Sequence, residues 1–190
     1  MNKKNLIIYG NGETAYVAKK YFEKDSDFKI VAVTAHEEFL KNQKHKFNVN
    51  VVPFQECLKL YDNVNYYFFI AISSTKLNHI RAEKYRIIKN EGYKFATYIS
   101  SNSIVHDPLK VGENCFILEN NTIQPNVTIG NNVTIWSGNH IGHSSVIEDH
   151  CFISSHCVIS GFCSIKKYSF LGVNSTIENN TNIEKNNFIG

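Results

Sequence analysis

Ile129-Gly-Asn-Asn-Val-Thr-Ile135-Trp-Ser-Gly-Asn-His-Ile141-Gly-His-Ser-Ser-Val-Ile147 places an isoleucine at every sixth residue. The same count runs without interruption through Ile99, Val105, Val111, Ile117, Ile123, Ile129, Ile135, Ile141, Ile147, Ile153, Ile159, Ile165, Leu171, Ile177, Ile183 and Ile189. Sixteen aliphatic residues at one fixed spacing are an internal repeat, and a repeat of this length decides the architecture before local propensities are considered.

Two residues before each aliphatic position the chain is mostly small, as at Ser103, Cys115, Val127, Val133, Ser145, Cys151, Cys157, Cys163, Ser169, Ser175 and Thr181. Residues two apart on a strand share a face. Each six-residue unit is therefore a short strand with one large and one small inward side chain, followed by a turn. Three residues after the aliphatic position stands Asn at 102, 114, 120, 126, 132, 174, 180 and 186. Asparagine tolerates the left-handed backbone that a tight corner demands. Three such units close a triangle of eighteen residues, and stacked triangles make a parallel β-helix with coils about 4.8 Å apart. Residues 99–188 supply five coils.

Stepping by eighteen separates the three outer faces. One carries Phe116, Thr134, Phe152, Phe170 and Phe188, beside Leu118, Trp136, Ser154 and Gly172. A second carries Lys110, Glu148, Lys166 and Glu184, and the third Thr122, His140, Val158 and Thr176. A soluble chain rarely exposes an aromatic stripe, so this face is expected to be covered. Subunits packed as a closed trimer would cover it, and so would the N-terminal domain.

Residues 1–98 follow another rule. Asn5–Tyr9 is an apolar strand, Gly10-Asn-Gly-Glu-Thr-Ala15 a glycine turn, and Tyr16–Lys24 a helix. Strands at Phe28–Thr34, Val49–Val52 and Tyr66–Ile72 alternate with a helix after Pro53 and another from Thr75 to Asn90. This order predicts a Rossmann-like α/β domain with a parallel sheet. The domains are accordingly 1–98 and 99–190. Gly10 and Gly12 either make a plain tight turn or let the backbone approach a phosphate at the helix N-terminus. An NAD site would want an acid after the second strand, where only Glu37 is near, and no dehydrogenase half follows.

Composition narrows the classes further. The net charge of +3 comes from scattered Lys and Arg, which argues against nucleic acid as a partner. The apolar run after Met-Asn-Lys-Lys is too short for a signal sequence or membrane insertion. Five cysteines without a CxxC pair fit buried thiols in a reducing cytoplasm.

Between 138 and 168 the asparagine corner is suspended, and the position becomes Gly138, Ser144, His150, His156, Phe162 and Tyr168. Four histidines crowd the same stretch: His140, His143, His150 and His156. A local rule broken in one region points to a site. His143 sits at a corner, and Gly161 lies eighteen residues on, one coil away. A base beside a bare backbone N–H suits acyl transfer, the base taking a proton while the donor stabilises the oxyanion. The other reading is that His143 caps a turn. His140 points outward, towards substrate or a neighbouring subunit.

The run from Trp136 to Gly161 resembles the sialic-acid O-acetyltransferase-like family, which includes the PglD and NeuD bacterial enzymes. Ile7-Ile-Tyr-Gly10, Val52-Pro-Phe54, Ala71-Ile-Ser73, Gly92-Tyr93 and Leu118-Glu-Asn-Asn-Thr-Ile-Gln-Pro125 are similar to it as well. The resemblance implies a left-handed β-helix, a homotrimer with sites between subunits, and acetyl-CoA as co-substrate without a metal. It implies a nucleotide-sugar substrate and a place in surface-polysaccharide synthesis. By position it implies His143 as base, Gly161 as donor to the acyl oxygen, and Phe152, Gly161 and Val173 at CoA. Gly10, Gly12, Glu13, His36, Glu37 and Ser73 would meet the nucleotide sugar, and Trp136 and His140 are assigned to the substrate with them. The family's acidic partner of the base corresponds to Ser144, which carries no charge. The glycine turn lacks the family's histidine. A further coil and tail would be expected beyond Gly190, without which CoA would bind more weakly.

The expected activity is N-acetylation of a nucleotide-linked amino-deoxy sugar by direct attack on the thioester. O-acetylation of a sugar hydroxyl by the same fold is the nearest alternative. A β-helix zinc hydratase of the carbonic anhydrase type, with His140 and His143 as ligands, and a non-catalytic scaffold are alternatives of other classes.

Overall fold

The computed structural model describes residues 3–41 and 47–190. They form two compact units, one of the described residues up to 73 with 83–96 and the other of residues 74–82 with 97–190.

In the first unit β1 (Lys4–Tyr9), α1 (Glu13–Lys24), β2 (Phe28–Ala35), α2 (Glu37–Leu40), β3 (Asn50–Pro53), α3 (Phe54–Leu60), β4 (Tyr66–Ile70), α4 (His79–Asn90) and β5 (Lys94–Phe95) follow in order. The sheet order is β3-β2-β1-β4-β5, and every pairing is parallel. Leu6, Ile7, Ile8 and Tyr9 are all buried. A strand apolar on both faces belongs inside a parallel sheet covered on both sides. Two helix starts differ from the sequence expectation. α1 begins at Glu13 rather than Tyr16, directly on the glycine turn. α4 begins at His79 rather than Thr75. Lys76, Leu77 and Asn78 have φ of 53°, 49° and 64°, a left-handed stretch that no right-handed helix can include.

The second unit is a stack of two-residue strands. Thr122 pairs with His140, Thr128 with Val146 and Thr134 with Phe152. Partners are thus eighteen residues apart throughout, and three parallel sheets result. The arrangement fits a left-handed β-helix of hexapeptide repeats. Its interior is filled by Ile117, Ile123, Ile129, Ile135, Ile141, Ile147, Ile153, Ile159 and Ile165, with Cys115, Cys151, Cys157 and Cys163 at the small positions.

Two inward positions are asparagine, and the stacking satisfies them. Asn121 accepts at Oδ1 from the Asn139 N–H at 2.9 Å, and Asn139 in turn accepts from the Cys157 N–H at 2.7 Å. Both amide groups donate within their own turn, to Leu118 O and Trp136 O. Buried amides cost little when each group is paired.

Seven of the eight expected asparagine corners are left-handed: Asn114, Asn120, Asn126, Asn132, Asn174, Asn180 and Asn186 lie at φ of 56–64°, whereas Asn102, in the first coil, does not have a positive φ. Ser144, His150, His156, Phe162 and Tyr168 adopt the same left-handed backbone, which suits the aromatic pair Phe162 and Tyr168 least.

Ile135 is fully buried in this stack. Ile135→Ala is expected to destabilise the protein by about 2–5 kcal/mol, measured by denaturant titration. A loss below 1 kcal/mol would mean that the coils do not pack as a single core.

Candidate functional site

Pro125, His143, Gly161 and Asn179 form one corner column, each eighteen residues from the next. The coils are held there by backbone bonds. The Gly142 N–H donates to Ile159 O at 2.7 Å, Ser144 N–H to Pro125 O at 3.0 Å and Phe162 N–H to His143 O at 2.9 Å. A β-carbon on Gly142 would lie 2.4 Å from Ser160 C and 2.5 Å from Gly161 N, so glycine is required for this approach.

The His143 imidazole leans over the coil that follows. A β-carbon on Gly161 would stand 2.9 Å from both Cε1 and Nε2 of His143, and 3.1 Å from Asn179 Oδ1. Glycine at 161 therefore makes the space that the imidazole occupies. The Gly161 N–H has no acceptor among the described residues. Comparable corner N–H groups do: Glu113 donates to Asn131 Oδ1, Asn131 to Asp149 Oδ1 and His143 to Gln124 Oε1 at 2.9 Å. His143 is exposed, and neither ring nitrogen has a hydrogen-bond partner among the described residues. Its ring meets that of Phe162 edge to face, with centroids 4.8 Å apart. Ser144 is the left-handed corner residue beside it, at φ 57°.

The remaining histidines separate from this column. His140 lies half-buried on a strand between Thr122 and Val158. His156 stands over Gly138, whose β-carbon would lie 2.7 Å from its ring. His150 belongs to a third column, Asn114–Asn132–His150–Tyr168–Asn186, which receives residues 78–81. Asn114 Nδ2 donates to Asn132 Oδ1 at 2.6 Å, and Asn132 Nδ2 lies 2.9 Å from His150 Nδ1. Asn78 Nδ2 donates to His150 O. Tyr168 stacks on His79 at 4.1 Å and on His150 at 5.0 Å. His79 Nε2 lies 2.9 Å from Asn186 Oδ1.

Arg81 closes this column, and sequence reasoning missed it. It is 3% exposed. Its guanidinium donates to Asn132 Oδ1 at 2.8 Å, to Thr134 Oγ1 and to Asn132 O. No carboxylate pairs with it among the described residues, and burial draws its pKa down to about 10. A single arginine in a helical run gives no signal of such a role.

The aromatic face is uneven. Phe116, Leu118 and Thr134 are buried, whereas Phe188 is 63% and Val173 62% exposed. Phe152 and Phe170 stack at 5.1 Å, Phe170 and Phe188 at 4.9 Å, and Trp136 lies 6.4 Å from Phe152. Phe152 lies on this sheet and Val173 on the corner that ends it, while His143 lies on the next corner, beyond the His140 sheet. A single chain does not bring them together.

The four thiols of the repeat unit are buried. Burial raises Cys115 to about 11, Cys151 to about 12 and Cys157 in the same direction.

In the first unit the candidate residues gather at the C-terminal ends of the strands. Gly10, at φ 129°, ends β1; its β-carbon would sit 2.5 Å from Ala71 O. Gly12 is the N-cap of α1 with no side-chain cap and has open space around it. Glu13 is exposed in the first turn of α1. His36 caps α2, Glu37 opens it, and Ser73 is exposed after β4. The His36 ring lies 6.3 Å from Tyr9 and 6.1 Å from Phe54. The Tyr9 hydroxyl is buried without a hydrogen-bond partner among the described residues. Burial, then Glu83 and Glu38, raise its pKa.

With the geometry set out, known proteins can be compared. The model of the bacterial transferase hexapeptide family (six repeats) matches residues 108–143 and 126–161. No curated protein sequence matches the chain. Several solved structures share the fold. Perosamine N-acetyltransferase from Caulobacter crescentus, in complex with CoA and GDP-perosamine, aligns at TM-score 0.78 and 18% identity, covering 94% of this chain and 81% of that one. The acetyltransferase domain of PglB from Neisseria gonorrhoeae FA1090, in complex with acetyl coenzyme A, aligns at 0.81 and 15%, covering 95% and 84%. WeeI from Acinetobacter baumannii AYE aligns at 0.67 and 15%, covering 95% and 94%. The fold is thus one shared with hexapeptide-repeat sugar acetyltransferases. Among the described residues no three His, Cys, Asp or Glu side chains gather as metal ligands, and no helix is long and apolar enough to cross a membrane.

Arg81→Ala removes three donors from a buried corner and leaves Asn132 and Thr134 short of partners. A loss of about 3 kcal/mol or more is expected in denaturant titration. An unchanged midpoint would mean that the guanidinium does not hold the column.

Proposed function

We propose that the chain is an N-acetyltransferase that moves the acetyl group of acetyl-CoA to the amine of a nucleotide-linked amino-deoxy sugar, in the cytoplasm, for surface-polysaccharide synthesis. Residues 1–98 act as a Rossmann-like domain for the nucleotide sugar and residues 99–190 hold the acyl donor. The observation that carries this is the His143 imidazole set against the bare N–H of Gly161. The shared fold with proteins whose structures contain CoA, acetyl-CoA or GDP-perosamine supports the same substrates here.

In this reading His143 takes a proton from the attacking amine or the tetrahedral adduct. The new C–N bond forms as the carbonyl oxygen gains charge, and the Gly161 N–H faces that oxygen. Collapse breaks the C–S bond, and the imidazolium returns its proton to the departing thiolate. No acyl-enzyme forms, because every cysteine in the repeat unit is buried. Ser144 shapes the corner that carries the base and supplies no charge.

The nucleotide phosphates lie at the uncapped N-terminus of α1, beside Gly10, Gly12 and Glu13, with His36, Glu37 and Ser73 around the rim. A homotrimer packed along the Phe152–Phe170–Phe188 stripe places Phe152 and Val173 of one subunit at the CoA bound near the His143 of another. Trp136 and His140 then contact substrate in the same groove.

The test is thiol release from acetyl-CoA against a panel of UDP-, dTDP- and GDP-linked amino sugars, with one member expected to be acetylated. His143→Ala is expected to lower kcat by about 10²–10⁴ with the fold intact. Gly161→Ala, which crowds the imidazole, should lose activity with little change in melting temperature. Full activity of His143→Ala would remove histidine base catalysis, and a chain inert with every sugar would leave the acyltransferase assignment without support.

A further inference from the structure

Twelve non-glycine corner residues of the repeat unit occupy the left-handed region, and seven of them are asparagine. An aromatic residue there is an outlier, since its β-carbon crowds the following carbonyl. Tyr168 is one, and its ring is sandwiched by His79 and His150. Phe162, at φ 56°, is the other. It is 54% exposed, so burial gives no reason for it.

The contact that remains is with His143. The rings meet at 90° with centroids 4.8 Å apart. The Phe162 N–H also donates to His143 O at 2.9 Å, which fixes the origin of one ring against the backbone of the other. The imidazole otherwise has no fastening, because neither nitrogen is bonded among the described residues and the neighbouring corner residue is Ser144. Gly161 sets one boundary of the ring and Phe162 a second. Backbone strain kept at a functional corner is expected where it places a reacting group.

We infer that Phe162 is a positioning residue: its ring holds the His143 imidazole over Gly161 in place of a charged orienting partner. This rests on the acetyltransferase reading of the site. It adds that the ring acts on the turnover step and not on the affinity for the acyl donor.

Two variants test it. Phe162→Asn installs the residue used at the other corners, so the melting temperature should hold or rise. Loss of the ring should lower kcat about ten-fold or more while KM for acetyl-CoA stays within about two-fold. Phe162→Tyr keeps the ring and should restore kcat. Unchanged kcat in Phe162→Asn, a rise in KM alone, or a fall in melting temperature would each overturn the inference.

A measurement independent of turnover separates this inference from the functional assignment. The His143 Cε1–H resonance, assigned by its loss in His143→Gln, should shift and broaden in Phe162→Asn as the ring current and the restraint disappear. An unchanged resonance overturns the inference even if the wild-type chain acetylates a sugar. A shifted resonance in a chain that acetylates none supports the restraint and fails only the assigned chemistry.

Discussion

Vertical register between coils is the constraint on which the rest depends. A two-residue strand has no stability alone, and each is held only because the residue eighteen positions away presents its backbone at hydrogen-bonding distance. The aliphatic residues at six-residue intervals hold that register by filling one continuous interior. A slip of one residue would turn them all outward. Because the register is rigid, side chains at corners are brought into columns whose members are fixed by arithmetic. Function can then be written into a column without any change to the core.

The corners show how this is used. Most corners are asparagine, the residue that bears a left-handed backbone at least cost. At three of the others an aromatic contact accompanies the departure from asparagine. Tyr168 and His150 build a polar and aromatic column for residues 78–81, completed by the buried guanidinium of Arg81. Phe162 faces His143. The suspension of the asparagine rule between 138 and 168 thus includes two separate places, the column that receives residues 78–81 and the candidate site.

The repeat, the three faces and the juxtaposition of His143 with Gly161 were legible in the sequence because all three follow from counting in sixes and eighteens. What could not be counted was not seen. The sequence puts the start of α4 at Thr75, because Lys76, Leu77 and Asn78 have no composition that announces a left-handed stretch. Arg81 looks like any surface arginine of an amphipathic helix, and its burial arises only from the side chains that happen to face it. The histidine cluster appeared as one zone because sequence proximity hides the fact that consecutive corners point in three directions.

Ser144 has a consequence for the chemistry proposed here. An acidic residue beside a histidine base stabilises the imidazolium and so strengthens the base. This corner offers only a hydroxyl at Ser144, a bare N–H at Gly161 and an aromatic wall at Phe162, none of which adds charge. Such a base is best matched to a nucleophile that needs little help. An ammonium group is acidic enough to surrender its proton near neutrality, and the amine it leaves is already nucleophilic. A sugar hydroxyl would have to be deprotonated during attack by a base lacking its usual support. Under the proposed histidine-base reading, the uncharged Ser144 therefore favours transfer to nitrogen over transfer to oxygen.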